Sequence, residues 1–196
     1  MEVLNILANA SATIAEGEVL QLTVSRDIST DEEIYLKVIR GKTAALFSAA
    51  TQVGAVISGS EETIINALYK YGDALGVAFQ IVDDLLDVVG DSRIIGKNNG
   101  DDFRERKLTL PFIKAISSCN QNEKDFWKRT IEKGDQASED FNTALELMQK
   151  YEAIERTRLD ALKWAKTAKN SLDAVPDSEI KIILTNLADY VVDRVK

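Results

Sequence analysis

Histidine is absent from the 196 residues, and cysteine occurs once, as Cys119. Without histidine there is no imidazole base for a serine or cysteine nucleophile, and no imidazole metal ligand. A single cysteine supplies neither a disulfide framework nor a cysteine-ligated zinc site. Proline occurs only at Pro111 and Pro176, and alternating apolar–polar runs are nearly missing, so little here breaks helices or builds sheets. Positive charge is in short supply: 24 Lys and Arg stand against 32 Asp and Glu, a net charge of −8. Such a chain lacks the basic surface that nucleic acids or anionic membranes require. No apolar run reaches the roughly 18–20 residues of a membrane span; the most apolar stretch, 44–57, contains Ser48, Thr51 and Gln52. The N-terminus carries Glu2 where a secretory signal would carry basic residues. The expectation is a soluble, cytoplasmic protein with no nucleic-acid partner and no transmembrane segment. Any chemistry it performs rests on carboxylates, lysines and a hard cation.

Apolar residues recur at three- and four-residue steps, which predicts helices at 2–24, 31–59, 61–90, 108–118, 122–133, 137–172 and 177–194. Ser29-Thr30-Asp31 before Glu32-Glu33 is a capping signal with acid in the first turn. Pro176-Asp177-Ser178-Glu179 is a second, and Gly59-Ser60 separates two helices. The stretch from Gly90 to Lys107 has no helical periodicity, and long irregular segments in compact domains tend to be functional. With no repeat, linker or low-complexity tract, residues 1–196 read as one all-α domain.

The helix at 61–90 carries the strongest signal. At about 100° per residue, Asp73, Gly76, Gln80, Asp83, Asp84, Asp87 and Asp91 share one narrow sector. Val77, Ala78, Phe79, Ile81, Val82, Leu85, Leu86, Val88 and Val89 cover the remainder, as in a helix surrounded by protein. A solvated face is the bland explanation of a charge run, but such faces mix lysine, glutamate and arginine. Here the charged residues are all aspartates. Buried together they repel one another unless a cation is present. Short carboxylates without His or Cys suit Mg²⁺.

Lys42 lies on the apolar face with Tyr35, Val38, Ile39, Ala45, Leu46 and Ala49, while Lys37 and Arg40 are expected to meet solvent. A lysine in that position either snorkels to the edge or points a cation into a polar cavity. Gly96-Lys97-Asn98-Asn99-Gly100 is a glycine-bounded turn with a lysine, and Lys107 precedes Leu108-Thr109-Leu110-Pro111. Lysine is a point-charge partner for phosphate, although a lone loop lysine is ordinarily just solvated. Aspartates for a divalent cation, flanked by Lys42, Lys97 and Lys107, form a coherent Mg²⁺–diphosphate site inside a helical bundle.

These residues also resemble a known family. Gln80-Ile-Val-Asp83-Asp84-Leu-Leu-Asp87, Gly96-Lys97-Asn-Asn-Gly100-Asp-Asp102 and Lys107-Leu-Thr109-Leu-Pro111 are similar to the second aspartate-rich region of the trans-isoprenyl diphosphate synthases. Lys42-Thr43 matches that family's lysine–threonine pair. Ala15-Glu16-Gly17-Glu18-Val19-Leu20-Gln21 is similar to its long-chain octaprenyl and decaprenyl members. The resemblance covers essentially the whole chain. It implies an isoprenoid-synthase-type helical bundle with a central cavity, and condensation of isopentenyl diphosphate onto an allylic diphosphate to build a quinone side chain. It places Mg²⁺ at Asp83, with Asp84 and Asp87 binding directly or through water. It assigns Lys42, Thr43, Gln80, Lys97 and Lys107 to the allylic substrate, with Lys42, Gln80 and Asp83 central to catalysis.

Two departures stand out. The glycine that the family carries before its second loop lysine is Arg106 here. The family's first aspartate-rich motif, its glycine–lysine–arginine segment and a histidine for isopentenyl diphosphate are absent, so the N-terminal helices of the fold are expected to be missing and the chain to be incompetent alone. Apolar surface left uncovered by that loss, together with the family's habit, predicts a homodimer or larger oligomer. A non-catalytic subunit of a heteromeric synthase and a terpene cyclase are the alternatives; cyclases carry a different second motif, rich in Asn, Ser and Glu. A helical adaptor leaves the aspartates and Lys42 without a cause.

Overall fold

In the computed structural model the described residues are 1–90 and 99–195, and they contain helices and turns but no strand. The long helix α4 (Glu62–Val89) is the axis. Tyr71, Ala74, Leu75, Val77, Ala78, Ile81, Val82 and Leu85 bury on nearly every side of it, as its apolar girth requires. α3 (Ala45–Ile57) packs along one side and α9 (Ala153–Ser171) along another. α10 (Glu179–Asp193) lies across both α4 and α9, and Tyr71 donates its hydroxyl to Leu184 O at 2.8 Å. α1 (Glu2–Val24) runs outside α3. A second hydrophobic cluster gathers Phe103, Phe112, Trp127, Ile131 and Met148 from α5 (Asp101–Arg104), α6 (Leu110–Ser118), α7 (Gln121–Trp127), the π-helical turn after α7 and α8 (Asp140–Lys150). No described helix is long and apolar enough to cross a membrane.

The capping signals act as their chemistry directs. Asp31 accepts from Ile34 N at 2.9 Å at the start of α2 (Glu32–Ile39), and Ser178 accepts from Lys181 N at 3.2 Å at the start of α10. Three expectations are corrected. The helix foreseen at 137–172 is two helices, because Glu152 takes a left-handed φ of 52° while Tyr151 is held by a 2.5 Å bond to Glu123. The stretch foreseen as wholly irregular contains α5, whose first amides are held by Asp87. The helix foreseen at 31–59 is α2 and α3 joined by a π-helical turn, Arg40–Ala44.

That turn is held by two close backbone approaches. A Cβ on Gly17 of α1 would stand 2.7 Å from Gly41 C and collide with Lys42 N, and one on Gly76 of α4 would stand 2.6 Å from Ala44 Cα. The extra residue of an i→i+5 turn offsets the faces before and after it. Leu46 consequently faces outward, and Arg40 does not simply meet solvent: it pairs with Asp73 at 3.3 Å and lies over the Trp164 ring.

Lys114 of α6, its side chain only 5% exposed, stands 2.8 Å from Glu32 and 2.8 Å from Asp160, tying the start of α2 to α9. Burial pushes the Asp160 carboxyl upward, but the Lys114 and Lys163 bonds outweigh it and leave it below the usual carboxylate value.

Three outcomes are expected from these contacts. Gly17→Ala, which forces α1 from the π turn, should lower stability by about 1–3 kcal/mol in urea unfolding. Lys114→Met should cost about 2–3 kcal/mol, since it strands two acids. Asp160 has a depressed folded pKa, so its contribution is complete above its ordinary value of about 4 and disappears as pH falls through the folded value. The gap between Lys114→Met and the unaltered chain should therefore shrink in acid; a gap that widens would refute the pairing. Arg106 holds a left-handed φ of 59° just before Lys107, where glycine is at ease. Arg106→Gly should raise stability by up to about 1 kcal/mol in urea unfolding.

Candidate active site

A cavity of ≈ 290 Å³ opens between the ends of α1, α2, α4 and α10 and the 99–109 segment. Lys42, Gln80, Asp83, Asp84, Asp87 and Lys107 all line it, and Thr43 reaches it through a bond to Gln80. Seven of the eight residues singled out in the sequence therefore meet in one place. Lys97 and Asp91 lie outside the described residues. Asp73 shares the helical sector but sits two turns away, paired with Arg40.

The π turn presents Lys42 to the cavity, where its Nζ donates to Gln21 Oε1 of α1 at 3.0 Å. Thr43 Oγ1 donates to Gln80 Oε1 at 2.8 Å, and Gln80 Nε2 donates to Asp84 Oδ1 at 2.8 Å. Tyr35, from α2, donates to Asp84 Oδ2 at 2.6 Å. Asp87 accepts the amides of Asp101 at 3.1 Å and Asp102 at 3.2 Å, and its carbonyl accepts Gly100 N at 2.8 Å. This carboxylate ties residues 101 and 102 to the end of α4. Lys107 pairs with Glu105 and stands 3.6 Å from Asp102.

Burial and mutual repulsion govern the acids. Burial, with the charges of Asp102 and Asp83 adding to it, pushes Asp84 up to about 7 against the bonds from Tyr35 and Gln80. Asp102 is pushed up to about 6 by burial and by Asp87, with Lys107 opposing. Asp87 is raised by burial despite the two amides that bond it. The same burial, aided by Asp84, lifts the Tyr35 hydroxyl well above its ordinary value.

The donor set is all oxygen, which suits a hard divalent cation rather than zinc or copper. Among the described residues no three acids converge tightly enough to hold a metal by themselves. Asp83, exposed along the cavity, is the carboxylate open to such an ion.

Four further residues belong to this constellation without having been singled out for a role. Tyr35 reads as core because it falls among apolar neighbours. Gln21 and Asp102 stand inside quoted motifs, where their types, an amide near a lysine and an acid near the stripe, were usable signals. Arg194 lines the cavity from the end of α10 and lies over the Phe79 ring, and nothing in its local sequence marks it.

Known proteins share this fold. An octaprenyl diphosphate synthase from Haemophilus influenzae is 38% identical over 194 residues, covering 99% of this chain and 59% of that protein. The crystal structure of a decaprenyl diphosphate synthase from Rhodobacter capsulatus superposes with a TM-score of 0.95 at 60% identity, covering 100% of this chain and 60% of that one. A polyprenyl synthase from Caulobacter crescentus, crystallised with calcium and isoprenyl diphosphate, gives 0.95 at 44% identity over the same shares, 100% and 60%. The chain thus spans about six-tenths of the length of these relatives and has the fold of their corresponding part. The family model described as polyprenyl synthetase matches residues 1–148, from α1 through the cavity to α8, and the chain belongs to that family.

Proposed function

We propose that this chain carries the allylic-diphosphate half of a long-chain, all-trans polyprenyl diphosphate synthase, a Mg²⁺-dependent prenyltransferase acting with isopentenyl diphosphate. The observation that supports it most is the meeting of Lys42, Gln80, Asp83, Asp84, Asp87 and Lys107 around one cavity. Asp83, with Asp84, Asp87 and Asp102 directly or through water, would hold Mg²⁺, which supplies positive charge against a departing diphosphate. Lys42 and Lys107 add fixed cations at the same anion and need no reorganisation as charge develops there. Thr43 and Gln80 hold each other, so that the hydroxyl and amide face the substrate in one orientation. Leu86 of α4, which lines the cavity, offers apolar surface for a prenyl chain beside them.

These residues provide one aspartate stripe, and about two-fifths of the length of the relatives lies outside the matched part. Turnover is assigned to this chain together with further helices, whether from a longer protein, a second copy or a partner. The exposed Leu4, Leu7, Val19 and Leu22 of α1 and Ile180, Ile183, Leu187 and Tyr190 of α10 favour such company.

The test pairs binding with turnover. Calorimetry of the purified chain with geranyl diphosphate should show Mg²⁺-dependent binding that Asp83→Ala abolishes and Lys42→Ala weakens about tenfold or more. Unchanged binding in Asp83→Ala would sink the assignment. With farnesyl diphosphate, labelled isopentenyl diphosphate and Mg²⁺, the isolated chain should yield no elongated product; product would show that the family's first aspartate-rich motif is dispensable.

A further inference from the structure

Gln21 stands in the last turn of α1, one turn beyond Gly17, whose contact with Gly41 and Lys42 N leaves no room for a side chain. Residues four apart lie one above the other on a helix face. The close approach at Gly17 therefore sets Gln21 against the Lys42 side chain, and the ammonium donates to Oε1 at 3.0 Å. An ammonium has three donors and no acceptor, so the amide must turn its oxygen to Lys42. Its NH₂ group is thereby directed elsewhere. Among the described residues that group donates to nothing, and Lys42 forms no ion pair. The main-chain oxygen of Gln21 is already taken, by Ser25 N at 2.9 Å and Ser25 Oγ at 2.6 Å. What Gln21 has left to offer in the cavity is a pair of N–H donors beside an uncancelled cation.

The wall around it gives those donors a use. Among the described residues lining the cavity, six acids stand against three cations. Thr43 commits its hydroxyl proton to Gln80, and Gln80 commits an amide proton to Asp84. We propose that Gln21 is an anion-binding residue of this cavity: its NH₂ donates to the diphosphate that Lys42 attracts, while its carbonyl oxygen aims the Lys42 ammonium at the same oxygens. The inference rests on the diphosphate reading above and adds to it a residue from α1. A glutamate of the same length would reverse both effects, since it has no proton to donate and it answers the Lys42 charge. A methionine keeps a similar length and loses both polar atoms.

A side chain that only packs would move stability and leave ligand binding alone, so both are measured. Inorganic pyrophosphate is titrated by calorimetry, with and without Mg²⁺, into the unaltered chain, Gln21→Met, Gln21→Glu, Lys42→Met and the Gln21→Met/Lys42→Met pair. Urea unfolding of each accompanies it. With Mg²⁺ present, Gln21→Met should weaken binding about three- to tenfold, the scale of one hydrogen bond. Gln21→Glu should weaken it more, by at least about tenfold relative to the unaltered chain, because the carboxylate also cancels Lys42. In the Lys42→Met background, Gln21→Met should still weaken binding about twofold or more, the part owed to direct contact with the anion. A loss that vanishes in that background would reduce Gln21 to a support for Lys42 and overturn the proposal. Gln21→Glu binding as tightly as Gln21→Met would overturn it too, as would losses confined to urea stability. An unaltered chain without Mg²⁺-dependent pyrophosphate binding would instead overturn the diphosphate reading itself.

Discussion

The π-helical turn at Arg40–Ala44 is held where α1 and α4 come close enough to exclude any side chain at Gly17 and Gly76. The arrangement of Lys42, Thr43 and Gln80 in the cavity depends on this wedge. It fixes the backbone of Lys42 against α1, where Gln21 receives the ammonium, and it sets Thr43 opposite Gln80 on α4. A regular helix through 31–59 would rotate one face relative to the other, and Tyr35 and Thr43 would not both reach the same stripe of α4. An inserted residue in a helix is a local defect in hydrogen bonding. Here tight helix contact on both flanks makes that defect a fixed piece of geometry.

The second constraint is electrostatic. α4 must be buried to be the axis of the bundle, yet it carries acids on one side. The fold answers differently at each turn. Asp73 meets an arginine, Asp84 two neutral donors, and Asp87 a pair of backbone amides. Asp83 is the remaining carboxylate of the described stripe and the one turned to the opening. Raised proton affinity at Asp84, Asp87 and Asp102 is the residue of this compromise, because neutral donors offset desolvation less fully than a cation does.

Much of this was legible in the residues. The apolar girth of α4 and its all-aspartate sector follow from composition and a period of 3.6, and side-chain acceptors at Asp31 and Ser178 mark helix starts through chemistry that acts locally. What was not legible has physical reasons. The π turn shifts hydrogen-bond partners without changing residue types, and Gly41 inside a helical pattern was its one trace. The break at Tyr151–Glu152 uses neither glycine nor proline, and rests on a bond to Glu123 that is distant in sequence. α5 is too short to show periodicity and is nucleated by Asp87, fourteen residues before it. Tyr35 was hidden by its dual nature, since an apolar ring and a polar tip look alike until the partner is located.

The two ends of the cavity also differ in how their charge is held, and this bears on what can enter. Lys107 is shared between Glu105 and Asp102, so much of its field is already answered by protein. Lys42 is held by Gln21, a neutral amide that orients the ammonium without cancelling it. An anion approaching this cavity alone would be drawn to Lys42 and repelled by the aspartates a short distance along α4. An anion accompanied by a divalent cation would find both ends favourable, because the cation takes the carboxylate end and leaves the phosphate oxygens to the lysine. On the proposed diphosphate reading the cavity would therefore favour the complex over the bare anion, and a glutamine rather than a carboxylate beside Lys42 is what would allow it.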